Sequence, residues 1–190
     1  MKNIWYTIAG EIKKDETAQV LIGWANNQIY NFPETEKLVL FISSKGGYLD
    51  TAIRIYSYLK GLPIEVETIG FGQIDSAAIV IFLSGKNRMA LAESRFILHR
   101  SMYSIGLQSS PIEIYEQTVS ILRELNDKHI QIIAKETSKT PKEIESVMID
   151  GKILSPEKAM KLGIVTEIIT ELPKSPKELP RQATPPPQQA

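Results

Sequence analysis

GFGQIDSAAIVIFLSGKNRMALAESRFILHR, residues 70–100, decides how this chain is read. The stretch leaves a run rich in β-branched residues, turns at Gly70 and Gly72, and presents Ser76 ahead of a run without charge, Ala77 to Ser84. It ends, after Phe96-Ile97-Leu98, at His99, one of the chain's two histidines. A serine hydroxyl is a weak nucleophile until a base takes its proton, and His99 is the candidate base. At the start of a helix the Ala77 N–H is free to meet a developing oxyanion, with the helix dipole behind it. Taken locally, Ser76 also suits a plain N-cap, and the full G-x-S-x-G elbow is missing. His99 equally suits a structural histidine.

Upstream, Lys37 to Ser43 (KLVLFIS) is a continuous apolar run, as in a strand buried on both faces. Ser44-Lys45-Gly46-Gly47 then reads as a turn. A glycine pair there lets backbone approach a ligand, so its N–H groups are candidate donors to an oxyanion or to substrate main chain. Leu49, Ala52, Ile53, Tyr56 and Leu59 recur at helical spacing, and Gly61-Leu62-Pro63 stops that helix. Before these elements come a strand over residues 3–10 and a helix from an Asp15 N-cap to about Ile29. After them come a strand over 64–71 and two short ones, 88–91 and 95–99. Strands alternating with helices imply βαβ units and a largely parallel sheet, with ligand chemistry at the carboxyl ends of the strands.

Downstream, Pro111 opens a long helix to about Glu136. One face carries Ile112, Tyr115, Val119, Leu122 and Ile133; the other carries Ile114, Ile121, Leu125 and Ile132. A helix apolar on two sides needs two partners, one of them a second subunit. His129, on this helix, is expected in a packing interface. Thr140 caps a helix over 141–147, Asp150-Gly151 is a turn, Ser155 caps a helix to Leu162, and 164–169 is a last strand. A histidine base needs a carboxylate to fix its tautomer. Asp127 lies inside the long helix, so Asp150 is the better candidate, although it also fits an ordinary Asp-Gly turn. Asp75 is too close to Ser76 to reach the far side of His99.

The 190 residues suit one domain over 1–172, followed by a Pro-rich tail over 173–190 that lacks the apolar surface to order itself. Twenty-two basic and 22 acidic residues leave no basic field for nucleic acid. With no cysteine, disulfides, thiolate metal sites and cysteine nucleophiles are excluded. The start of the chain is neither a signal peptide nor a membrane span, so a cytoplasmic protein is expected.

In order along the chain, these blocks resemble the proteolytic subunit of the Clp protease family, with the α/β ClpP/crotonase fold of repeated β-β-α spiral units. FISSKGGYLDTAIRIYSYLK resembles the family's glycine-glycine strand-turn-helix, TIGFGQIDSAAIVIFLSG its nucleophile block, and SRFILHR its histidine block. Residues 111–136 resemble the handle helix that interdigitates two rings, and LSPEKAMKLGIVTEII the closing helix and strand. The resemblance implies a serine endopeptidase in which Ser76 attacks and His99 accepts the proton. It also implies that Gly46, Gly47 and Ala77 supply backbone donors and that Asp150 orients His99. It further implies an unfolded polypeptide or peptide substrate, stacked heptameric rings, a Clp-type AAA+ unfoldase partner, and neither metal nor organic cofactor. The departures are Lys45 in place of a proline, the charge of Asp75 beside the serine, and a short segment after Gly85. The family's aspartate falls on Gly151, one residue past Asp150, and the N-terminal axial segment is not matched. Other readings are a ring subunit that assembles without cleaving, a crotonase-type acyl-CoA enzyme, and a signal-peptide-peptidase-like enzyme with a lysine base.

Overall fold

The computed structural model describes residues 2–102 and 111–173. The expected weakly patterned segment 103–110 and nearly all of the expected tail lie outside the described residues. Four strands and their helices build the body: β1 (Lys2–Ile12), α1 (Glu16–Asn31), β2 (Thr35–Gly47), α2 (Leu49–Lys60), β3 (Glu65–Asp75), α3 (Ala77–Phe82) and β4 (Asn87–Leu91). They are followed by β5 (Arg95–Ile97), α4 (Ile112–Thr137), α5 (Pro141–Asp150), β6 (Ile153–Leu154), α6 (Pro156–Leu162) and β7 (Glu167–Ile169). The sheet runs β1-β2-β3-β4-β7, all parallel, as the alternation of strands and helices predicts.

β3 is the strand that matters for the site. Its first half pairs with β4 (Glu67 to Gly70 against Asn87 to Ala90), and its last three residues pair with β5 (Gln73 to Asp75 against Arg95 to Ile97). β5 in turn pairs antiparallel with β6. One strand therefore serves two successive partners, and the sheet turns a corner along its length.

The two glycine turns expected at 46–47 and 70–72 are not turns. β2 stays paired with β1 through Gly47, and β3 stays paired as far as Asp75. Gly72, at φ 81°, lies where the register slips between Ile42↔Gly70 and Ser44↔Ile74. There the left-handed conformation open to glycine absorbs extra residues as a bulge instead of reversing the chain. The second half of β3 is thereby re-aimed onto β5.

All six residues of α3 are buried. This short helix packs on β2, β3, α2 and α4, with Phe82 and Phe96 edge to face at 5.5 Å. Its uncharged sequence follows, since no side of it meets water. Asp15, expected as an N-cap, has φ 57° and makes no side-chain cap; its carboxylate pairs with Arg54 at 2.9 Å.

Gly47, at φ 145°, has room for no side chain: a Cβ would meet the backbone oxygen of Ile12. Gly47→Ala is expected to lower stability by about 2 kcal/mol, from backbone strain. Thermal unfolding checks this, and an unchanged midpoint contradicts the account.

Candidate active site

Ser76 stands between β3 and α3 with φ 56° and ψ −125°. Serine rarely adopts a positive φ, which costs about 1–3 kcal/mol and persists only where surroundings enforce it. Two contacts enforce it here. The Ser76 N–H donates to the Ile97 carbonyl at 2.8 Å, extending the β3–β5 ladder by one residue. Gly46 packs against the elbow so closely that a Cβ on it would lie 2.7 Å from the Asp75 carbonyl and 2.8 Å from Ser76 Cβ. The hydroxyl makes no side-chain cap bond to the helix. The plain N-cap left open by the sequence is therefore not what this serine does.

The same ladder sets His99. Ile97 is bonded to Ser76, and two residues further on, past buried Leu98, the half-buried His99 enters a cleft that Ser76 also lines. The imidazole Nδ1 lies 2.7 Å from the Arg100 carbonyl. A carbonyl only accepts, so Nδ1 carries the proton and Nε2 is left as the basic nitrogen. The segment after β5 that holds this tautomer is anchored on both sides. Ser101 N–H donates to Asn126 Oδ1 of α4 at 2.8 Å, and Arg100 pairs with Glu145 of α5 at 2.6 Å.

Ala77 follows the serine directly, and Gly47 shares its cleft. Ala77 is the first residue of α3, where the helix supplies no carbonyl for its N–H. In the parallel β1–β2 ladder Tyr48 N–H donates to the carbonyl of Ile12, the residue opposite Gly47. Gly47, at φ 145°, departs from regular strand conformation and lines the cleft. Gly46 is different: its N–H donates to Ser44 Oγ at 3.1 Å, so its part is close approach to Ser76.

Asp150 is the last residue of α5, exposed, with its carboxylate 3.1 Å from Lys152 Nζ. Gly151 follows in the left-handed conformation, at φ 58°. In this conformation the polar contact of His99 Nδ1 is with Arg100. Asp75, the charge beside Ser76, is buried and reaches Arg95 Nη2 at 3.3 Å. Burial pushes its carboxyl above the usual range, and Arg95 pulls it part of the way back. Lys45, standing in the family's proline position, is exposed and pairs with Glu11 at the cleft rim.

The cleft has a volume of about 810 Å³, and α4 forms one wall with Thr118, Leu122, Leu125 and His129. His129 was expected in a packing interface. It is indeed buried, at 1% exposure, yet it also lines this cleft, and among the described residues neither ring nitrogen has a hydrogen-bond partner. Burial, helped by the nearby His99, holds it neutral with a pKa near 4. Heptad spacing from Leu122 signalled its burial; its place beside His99 depends on how α4 lies across the sheet, which spacing does not contain. Among the described residues no cluster of His, Asp and Glu could hold a metal ion, and no helix is long and apolar enough to cross a membrane.

The Clp protease family model matches residues 7–172, spanning every element that builds the cleft. The chain belongs to the Clp protease family. A similar Clp protease chain is the ATP-dependent Clp protease proteolytic subunit 2 of Borreliella burgdorferi, 30% identical over 89% of this chain and 84% of its own. Subunit 2 of Pseudomonas aeruginosa is 29% identical over 70% of this chain and 66% of its own. Among solved structures, a ClpP1 variant from Listeria monocytogenes superposes with a TM-score of 0.70 at 25% identity, covering 88% of this chain and 91% of that one. The expected ClpP/crotonase-like fold is therefore the fold of this Clp protease chain.

Two outcomes follow from the charges around the elbow. Arg95→Ala leaves the buried Asp75 without its cation, so it is expected to cost about 1 kcal/mol at neutral pH, Arg95 being half exposed. That loss shrinks toward acid pH as Asp75 becomes protonated in both proteins, and thermal melts at two pH values read it. His129 is a base whose folded pKa is depressed from 6.5 to about 4. Its contribution is present above pH 6.5 and is lost as pH falls toward 4, on the order of 3 kcal/mol in all. His129→Leu is expected to flatten stability across that window, as read by denaturant unfolding.

Proposed function

We propose that the chain is a serine endopeptidase that hydrolyses peptide bonds of unfolded polypeptides or peptides. The observation that carries this reading is the enforced positive φ of Ser76, in a cleft shared with a histidine whose Nδ1 faces a carbonyl and whose Nε2 is left as the acceptor. Ser76 Oγ attacks the scissile carbonyl while His99 Nε2 takes its proton, and the imidazolium then protonates the leaving amine. The N–H groups of Ala77 and Gly47 hold the oxyanion. Water repeats the sequence on the acyl-enzyme. Substrate main chain lies along the Gly46-Gly47 edge of β2 as an added strand.

The Arg100 carbonyl orients His99 in this conformation. Asp150 would take over that role only if it left Lys152 and the end of α5 moved toward His99. The exposed Asp150 is the one observation favouring the second reading, a ring subunit that assembles without cleaving. Assembly itself is supported by α4, which exposes Ile112, Ile114, Val119 and Ile121 at 43–68%. Apolar surface of that extent calls for a partner. Stacked heptameric rings, a Clp-type AAA+ unfoldase and a cytoplasmic location complete the proposal. The family resemblance motivates the rings and the unfoldase.

Ser76→Ala is expected to reduce turnover of a fluorogenic peptide by about 10⁴-fold or more without changing the assembled mass. Full activity in that variant would sink the assignment. Asp150→Asn is expected to keep activity within about tenfold if Arg100 orients His99, whereas a triad aspartate replaced by its amide loses about 10⁴-fold.

A further inference from the structure

Alternate residues of a strand point to opposite faces of the sheet. On β2, Leu38, Leu40 and Ile42 join the main core, where the helices pack. The smaller apolar cluster is built from strands alone: Val39, Ile69 and Met89 are buried, and Trp5, Phe41 and Ile169 pack against them. Three adjacent strands each supply one aromatic ring to this layer. Trp5 of β1 stacks on Phe41 of β2 at 5.2 Å, and Phe41 meets Phe71 of β3 edge to face at 6.4 Å. All three rings are half-buried, and no helix residue belongs to the cluster.

β7 delivers the chain to this layer. Its last residue, Ile169, packs in the cluster, and Leu172 and Pro173 follow, exposed. The sequence continues as KSPKELPRQATPPPQQA, residues 174–190. Proline-rich chain has little entropy to lose on taking up the extended polyproline conformation, and aromatic-lined surfaces are what bind it. It lacks the apolar surface to order itself, and the aromatic layer offers that surface. Reach is ample: at about 3.1 Å per residue the chain from Ile169 to Pro185 spans up to about 50 Å. The four strand spacings from β7 to β1 take about 19 Å. Charge agrees as well. Glu65, Glu67 and Glu167 share the face of Ile69 and Ile169 by strand alternation, and they outnumber Lys37 and Lys86, which pair with the first two. Residues 174–190 bring Lys174, Lys177 and Arg181 against Glu178.

We propose that the chain's own C-terminal segment, Pro176 to Pro187, docks across the aromatic layer formed by Trp5, Phe41 and Phe71. The tether to β7 holds the segment at an effective concentration on the order of millimolar, so weak ring–proline contacts suffice. The proposal is independent of what Ser76 does.

The chain has no cysteine, so Thr184→Cys gives the full-length protein a single anchor for a thiol-reactive photo-cross-linker. The cross-links, located by mass spectrometry, are expected to concentrate on the β1, β2 and β3 peptides that carry Trp5, Phe41 and Phe71. Combining Pro185→Gly, Pro186→Gly and Pro187→Gly, all outside the sheet and its helices, is expected to cut that yield by about fivefold. The same three substitutions are expected to raise acrylamide quenching of Trp5, read in Trp24→Phe protein, by about twofold. Cross-links spread evenly over the surface, none within the chain, or a yield or quenching that the glycines leave unchanged overturns the proposal. A second copy or another protein seated on the layer in place of the segment gives one of those contrary results.

Discussion

The hydrogen bond from Ser76 N–H to the Ile97 carbonyl, 2.8 Å long, is the constraint on which the site depends. It is the last rung of the ladder in which β3, having served β4, pairs with β5. By fixing the backbone at the end of β3 it holds the serine in a strained elbow. By fixing Ile97 it delivers His99 to the same cleft. Gly46 closes the third side, and its missing Cβ is what lets β2 come so near. Three strand ends meet because the sheet turns a corner along β3, and the bulge at Gly72 is the local device that allows it.

The order of elements was legible in the sequence because each carries its own signal. The buried run Lys37 to Ser43, the helical spacing from Leu49 to Leu59 and the Thr140 and Ser155 caps all appear in the structure, both caps as side-chain bonds. The glycine segments read as turns in the sequence, since composition alone does not separate a turn from a bulge in a strand that keeps its partner. Ser76 was ambiguous for a related reason: an N-cap and a strained elbow use the same residue, and only the φ angle and the partner of its N–H tell them apart.

The charge of Asp75 also yields to geometry. Residues alternate in direction along a strand, so the side chain preceding Ser76 turns away from the cleft and meets Arg95, two residues before Ile97 on the neighbouring strand. The charge beside Ser76 is thus part of a cross-strand pair that braces the β3–β5 ladder. The place of Asp150 was not legible, because a shift of one residue at the end of a helix changes the direction in which the side chain leaves it. Here it leaves toward Lys152, and the tautomer of His99 is set by a backbone carbonyl, that of Arg100.

The central claim is that the elbow and His99 together activate Ser76. Covalent labelling by a fluorophosphonate, located by mass spectrometry and timed in the unmutated protein and in His99→Ala, tests it most directly. The account predicts that Ser76 is the labelled residue and that loss of His99 slows labelling by about 10²- to 10⁴-fold. Absence of label at Ser76, or labelling at the same rate without His99, would contradict it.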